Sequence, residues 1–152
     1  MTAERAHEVK NKTSAREYIL LAEDDVDDVE FLTDSLQNLD QSLEVLVISS
    51  GDKAIPFFDQ VPDDHLPGLI IMDYNLPAMS GYQILTILAG NERYKNIPKI
   101  IWSTSNSSFF EKECLTNGAT AYFVKPADLS GYEELAEKIL DFLKSREWKT
   151  ED

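Results

Sequence analysis

The chain holds a single cysteine, Cys114, which excludes an intrachain disulfide. Histidine is nearly as scarce. His7 and His65 stand apart without ligand spacing, so a structural zinc site is not expected. Positive charge is also short: 14 basic residues face 28 acidic ones, a formal net charge of −14 at pH 7. A field of that sign repels phosphate backbones and anionic lipid headgroups, so direct nucleic-acid binding is not expected, although a basic protein surface would be attracted. No apolar run approaches the roughly 20 residues that a membrane span requires. The N-terminal stretch carries Glu4, Arg5, Glu8, Lys10 and Lys12 and leads into no apolar segment. A soluble, cytoplasmic protein without membrane contact is the expectation.

What is present suffices for one core. The 152 residues are 43% hydrophobic, enough for a single globular domain and too few for two ordinary ones. The expected layout is a flexible tail over 1–15, a domain over 16–146 and a short charged tail over 147–152. The first apolar run, Tyr18 to Ala22, reads as a strand and stops at Glu23-Asp24-Asp25. Val29, Leu32, Leu36 and Leu39 then recur at steps of three and four, an amphipathic helix with acidic residues at its start.

The alternation continues along the chain. Leu43 to Ile48 reads as a second strand, followed by a helix around Ala54, Phe57, Phe58 and Val61 that must accommodate Pro56. Leu69 to Met72 is a continuous apolar run ending at Asp73, as expected of a strand buried on both faces. Ser80-Gly81 opens a helix bearing Ile84, Leu85 and Leu88, closed by Gly90-Asn91. Ile100 to Trp102 forms a fourth strand, and the helix after it ends at Asn117-Gly118 in the manner of a left-handed cap. Tyr122 to Val124 is the fifth strand. Ser130 to Glu133 reads as a capping box opening a last helix with Leu135, Ile139, Phe142 and Leu143. Five strands alternating with five helices predict one doubly wound α/β domain, (βα)5, with a parallel sheet covered on both faces.

In such sheets ligands bind beyond the carboxyl ends of the strands. The residues there are Glu23 and Asp24 after strand one, Asp73 after strand three, Ser103 after strand four and Lys125 after strand five. Three carboxylates at one edge repel unless a hard cation joins them, and an oxygen-rich octahedral site suits Mg²⁺. A lysine and a hydroxyl beside the cation are what the negative oxygens of a transferred phosphoryl group require. Asp25 is read as a helix N-terminal charge, and Asp27 and Asp28 as cap and first-turn charges.

With these residues the chain resembles the receiver domains of two-component response regulators over about residues 16–146. The likeness rests on Glu23-Asp24, the apolar run into Asp73 followed by Leu76-Pro77, Met79 and Gly81, then Ser103-Thr104, Tyr122 and Lys125-Pro126. It implies a flavodoxin-like strand order 2-1-3-4-5. It also implies that Asp73 is the phosphoacceptor, with Asp24 and Asp73 ligating Mg²⁺ directly, Glu23 acting through water and the Asn75 main-chain carbonyl completing the protein ligands. Ser103 matches the hydroxyl residue that turns toward the phosphoryl group and Tyr122 the aromatic that changes rotamer with it. An aromatic at that place is equally explained by packing. Lys125 matches the cation paired to the acceptor, and the family's lysine-proline bond is typically cis. Cys114 and Trp102 read as packing residues and Trp148 as a surface aromatic.

Two departures concern the switch. Ser103 stands where threonine is usual and lacks the methyl that limits rotamers. Thr104 is bulkier than the common residue there and borders access to Asp73, which implies altered dephosphorylation kinetics. The expected role is not that of an enzyme with an outside substrate. It is a self-phosphorylating and self-dephosphorylating switch, charged by a histidine kinase or histidine phosphotransfer protein. Output is expected through a target protein or self-association on the face of the fourth helix, fifth strand and fifth helix. The Glu-Asp-Asp start and Ser-Thr-Ser after strand four resemble regulators found beside phytochromes. A phosphohydrolase using an aspartyl phosphate would need an acid two positions after the nucleophile, where Asn75 stands. A degenerate receiver acting as a constitutive binding module is disfavoured by retention of Glu23, Asp24, Asp73, Ser103 and Lys125.

Overall fold

A computed structural model describes residues 18–151, with side chains through residue 145. The expected N-terminal tail over 1–15 and the side chain of Trp148 lie outside the described residues. The strands are β1 (Tyr18–Ala22), β2 (Glu44–Ile48), β3 (Leu69–Asp73), β4 (Lys99–Ser103) and β5 (Ala121–Val124). The helices are α1 (Val26–Leu39), α2 (Gly51–Gln60), α3 (Gly81–Ala89), α4 (Ser108–Thr116) and α5 (Leu129–Glu151). All strand pairings are parallel and the order is β2-β1-β3-β4-β5, as the family resemblance implied. The reversal of strand order falls at β1 and β3, so their carboxyl ends frame the crevice.

Strand periodicity divides the core in two. Ile19, Leu21, Ile71 and Trp102 face one layer with Leu32 and Leu36 of α1 and Tyr132, Ala136 and Ile139 of α5. Leu20, Ala22, Ile70, Met72 and Ile101 face the other with Ala54, Phe58, Ile84, Leu85 and Cys114. β3 and β4 are buried at every position. β2 is not, because as an edge strand it leaves Leu46 and Val47 exposed.

Local chemistry sets the helix ends. Asp25 caps α1, accepting from the Asp28 N–H at 3.0 Å. Ser80 and Gln83 form a reciprocal capping box at α3. Gly118, at φ 114°, takes the left-handed position after α4 that a side chain would strain. Pro56 lies inside α2, which continues through it with Ala54 and Phe58 anchored in the core.

Three expectations are corrected. α5 begins earlier than its Ser130 pattern indicates, because Asp128 Oδ1 accepts from the Gly131 N–H (2.9 Å) and the Ser130 hydroxyl (3.1 Å). It also continues to Glu151, past the position where a tail was expected. The Lys125–Pro126 bond is trans, since no cis peptide occurs among the described residues. Lys125 is nonetheless aimed inward by its own main chain, whose N–H bonds the Ser103 carbonyl at 2.7 Å and so continues the β4–β5 ladder.

Candidate functional site

The strand ends bring Glu23, Asp24, Asp73 and Lys125 together. Glu23 follows β1, its N–H bonded to the Ile48 carbonyl of β2 at 2.9 Å, which turns the side chain into the crevice. It is buried, and its Oε2 accepts from the Asp25 N–H at 3.0 Å. Asp73 ends β3 and is only 5% exposed, with Oδ1 accepting from the Asn75 N–H at 3.1 Å. Asp24 is exposed at the mouth, and one ligand oxygen from each of the three carboxylates lies within 4.8 Å of the others.

Lys125 is the cation of this group. Its Nζ lies 2.8 Å from Asp28 Oδ2, 2.9 Å from Glu23 Oε1 and 3.3 Å from Asp73 Oδ2. It also sits over the Trp102 ring, 5.0 Å from the centroid. Burial pulls the ammonium downward in pKa, but the contacts to Asp28 and Glu23 and the charges of Glu23 and Asp73 more than offset this. Lys125 is therefore held above the usual lysine range. Glu23 moves the other way from an ordinary carboxylate and is pushed up to about 7. Burial is the main cause, opposed by the Asp25 N–H and Lys125 and reinforced by the charge of Asp73.

A hard cation fits this donor set. Glu23 Oε1 is buried without a hydrogen-bond donor, its 2.9 Å approach to Lys125 being an ion pair outside hydrogen-bond geometry. A buried acid oxygen that shares one ammonium with Asp28 and Asp73, beside two further carboxylates, is chemistry that a divalent, oxygen-liganded ion satisfies.

Ser103 and Tyr122 are placed differently. The Ser103 hydroxyl is fully buried and accepts from the Ser105 N–H at 3.0 Å. Tyr122 donates its phenol to the Ser105 carbonyl at 2.8 Å. Ser105 thus joins the two through its main chain, a link that residue type could not reveal. Thr104 is exposed between them, and the Asn75 side chain is exposed in the β3–α3 loop.

Three further residues take roles at the site that the sequence did not assign to them. Asp28 is a first-turn charge of α1, as expected, and is also the nearest carboxylate to Lys125, at 2.8 Å. Its place in the first turn of the helix that follows Glu23-Asp24 was the available signal. Tyr132 of α5 donates to Asp28 Oδ1 at 3.1 Å from a buried position. Gly81 lies so close to the acceptor strand that a Cβ there would stand 2.3 Å from the Asp73 carbonyl oxygen.

Comparison with known proteins gives the family and the fold. A family model described as the response regulator receiver domain matches residues 19–139. Among curated proteins, the two-component response regulator ARR8 of Arabidopsis thaliana is 29% identical over 139 residues, covering 82% of this chain and 61% of its own length. ORR4 of Oryza sativa subsp. indica is 30% identical over 142 residues, covering 83% and 60%. This chain therefore spans about three fifths of the length of these plant relatives.

Among solved structures, the Mn²⁺-bound form of response regulator Rcp1 superposes with a TM-score of 0.72 at 25% identity, covering 81% of this chain and 91% of that one. The phosphorylated cyanobacterial phytochrome response regulator RcpA superposes at 0.76 and 26%, covering 86% and 95%. With the family match spanning most of the chain and the acidic crevice at the switch point of the sheet, this protein belongs to the response regulator receiver family.

Proposed function

We propose that Asp73 accepts a phosphoryl group from a phosphohistidine donor and that the resulting acyl phosphate changes the surface shown to a partner protein. The observation that carries this reading is the setting of Asp73: nearly buried, grouped with two carboxylates within 4.8 Å, and 3.3 Å from the Lys125 ammonium. An Asp73 carboxylate oxygen attacks phosphorus and forms an O–P bond. The P–N bond to the histidine ring breaks, and the ring nitrogen keeps the electron pair and takes up a proton.

Mg²⁺ held by Asp24 and Asp73, by Glu23 through water and by the Asn75 main-chain carbonyl would supply positive charge against the phosphoryl oxygens and relieve the carboxylate repulsion. Lys125 stabilises charge developing on the transferred group. Ser103 releases the Ser105 N–H and turns toward it, and Tyr122 follows through the shared Ser105. The reaction is self-modification rather than turnover of an outside substrate.

The donor is a histidine kinase or phosphotransfer protein, the likeness to a phytochrome response regulator supports a photoreceptor-linked one, and the reaction is cytoplasmic. Output passes through the α4-β5-α5 face, to a target or to a second copy. There Phe109, Leu115 and Val124 are exposed at 65%, 43% and 46%, which supports a protein contact. Incubation with Mg²⁺ and acetyl phosphate or phosphoramidate should add the mass of one phosphoryl group to wild type and none to Asp73→Asn. No gain in wild type, or an equal gain in the variant, overturns the reading.

A further inference from the structure

Asp28 and Tyr132 form a group that the acceptor chemistry does not require. Asp28 projects from the first turn of α1 and bonds Lys125 Nζ with Oδ2 at 2.8 Å, closer than Asp73 does at 3.3 Å. Its other oxygen accepts from the Tyr132 hydroxyl at 3.1 Å. Tyr132 is fixed in turn by its ring, edge-on to Trp102 (6.3 Å between centroids) and tilted against Phe31 (5.4 Å). Burial, and then the Asp28 charge, hold the phenol well above its ordinary pKa, so it remains a donor. A carboxylate so anchored has one oxygen committed to α5 and the other free to hold an ammonium.

We propose that Asp28 is a positioning residue that competes with the acceptor for the Lys125 ammonium, and that phosphorylation draws Lys125 off the Asp28–Tyr132 pair and so reports to α1 and α5. This rests on the receiver reading above. An ammonium has three protons and here faces Asp28, Glu23 and Asp73 at once. A phosphoryl group on Asp73 brings new anionic oxygens to the weakest of these three contacts. The ammonium then moves toward it, and the Asp28 contact is the one stretched, because Glu23 is grouped with Asp73 in the crevice whereas Asp28 is tied to Tyr132 of α5 at 3.1 Å and cannot follow. Asp28 therefore favours the unphosphorylated arrangement, and its charge sets how much of the phosphoryl group's pull is spent on moving Lys125.

The test uses beryllofluoride with Mg²⁺ as a phosphoryl mimic, read by tryptophan fluorescence, since Lys125 lies against Trp102. Asp28→Asn should tighten beryllofluoride binding roughly three- to tenfold, the scale of one partly shielded charge contact. Asp28→Glu, which restores the charge, should return affinity toward wild type. In a Lys125→Met background, Asp28→Asn should change affinity less than about twofold, because its action runs through the ammonium. An Asp28→Asn protein that binds no more tightly than wild type overturns the inference. So does an equal effect with and without Lys125, which would mean simple charge repulsion of the anion. If wild type itself binds no better than Asp73→Asn, the receiver reading falls and this inference with it.

Discussion

Replacing Gly81 by alanine tests whether the crevice is held by backbone contact. The added Cβ would lie 2.3 Å from the Asp73 carbonyl oxygen, 3.0 Å from its carbonyl carbon and 3.3 Å from Met72 Cβ. Two of these atoms are main chain, so no rotamer change relieves the overlap, and either α3 or the end of β3 must move by about 1 Å to reach ordinary contact. Overpacking of this kind costs about 1–3 kcal/mol, offset by at most about 1 kcal/mol from the better helix propensity of alanine.

Gly90→Ala is the control. Its Cβ would meet nothing nearer than the Ile87 carbonyl oxygen at 3.8 Å, and its φ of −88° suits any residue. Urea unfolding should show Gly81→Ala destabilised by about 1–2 kcal/mol relative to Gly90→Ala. Phosphoryl uptake should fall by more, up to about a hundredfold, because an ångström of misplacement weighs heavily on a reacting carboxylate. Equal stability and equal uptake in the two variants would refute the claim that α3 positions Asp73 through Gly81.

Cys114 is fully buried, and burial, with the neighbouring Glu113 charge, pushes its thiol up to about 11. Because the fold favours the neutral thiol, this contribution is complete below the unfolded value near 9 and is lost as pH rises through 11. The stability of wild type relative to Cys114→Ala should thus fall across that window by about 2–3 kcal/mol in denaturant titrations; a flat difference would contradict it. Arg93 bonds the Phe58 carbonyl at 3.0 Å, the Val61 carbonyl and Asp63 at 2.7 Å, tying the loop before β4 to the end of α2. Arg93→Ala should cost about 2–3 kcal/mol in thermal or urea unfolding and Asp63→Ala less than about 1, since Asp63 is largely exposed. Thr104→Ala should alter the acyl-phosphate lifetime, measured by loss of the phosphoryl mass after donor removal. An unchanged lifetime would mean that this exposed side chain does not govern water access.

Much of the site was legible in the chain because strand ends are marked by an abrupt change of residue type. Ile-Ile-Met stopping at Asp73, and Leu-Leu-Ala stopping at Glu23-Asp24, show where apolar burial must yield to chemistry. The parallel layout followed from alternating strand and helix periods, which are properties of neighbouring residues. Cap identity was less legible. Asp128 and Ser130 both satisfy cap preferences, and only the path after Pro126 decides which side chain faces the free N–H groups.

Composition and local pattern by themselves determined the α/β class, the two-sided burial of β3, and the groups at the strand ends, because these depend on short-range period and residue chemistry. Tertiary structure alone decided that Asp28 reaches Lys125 across 97 residues and Tyr132 across 104. It alone decided that Ser105 joins Ser103 to Tyr122 and that Gly81 presses on Asp73. Each of these depends on distances between segments remote in sequence, set by packing helices on a twisted sheet, and no single segment carries that information.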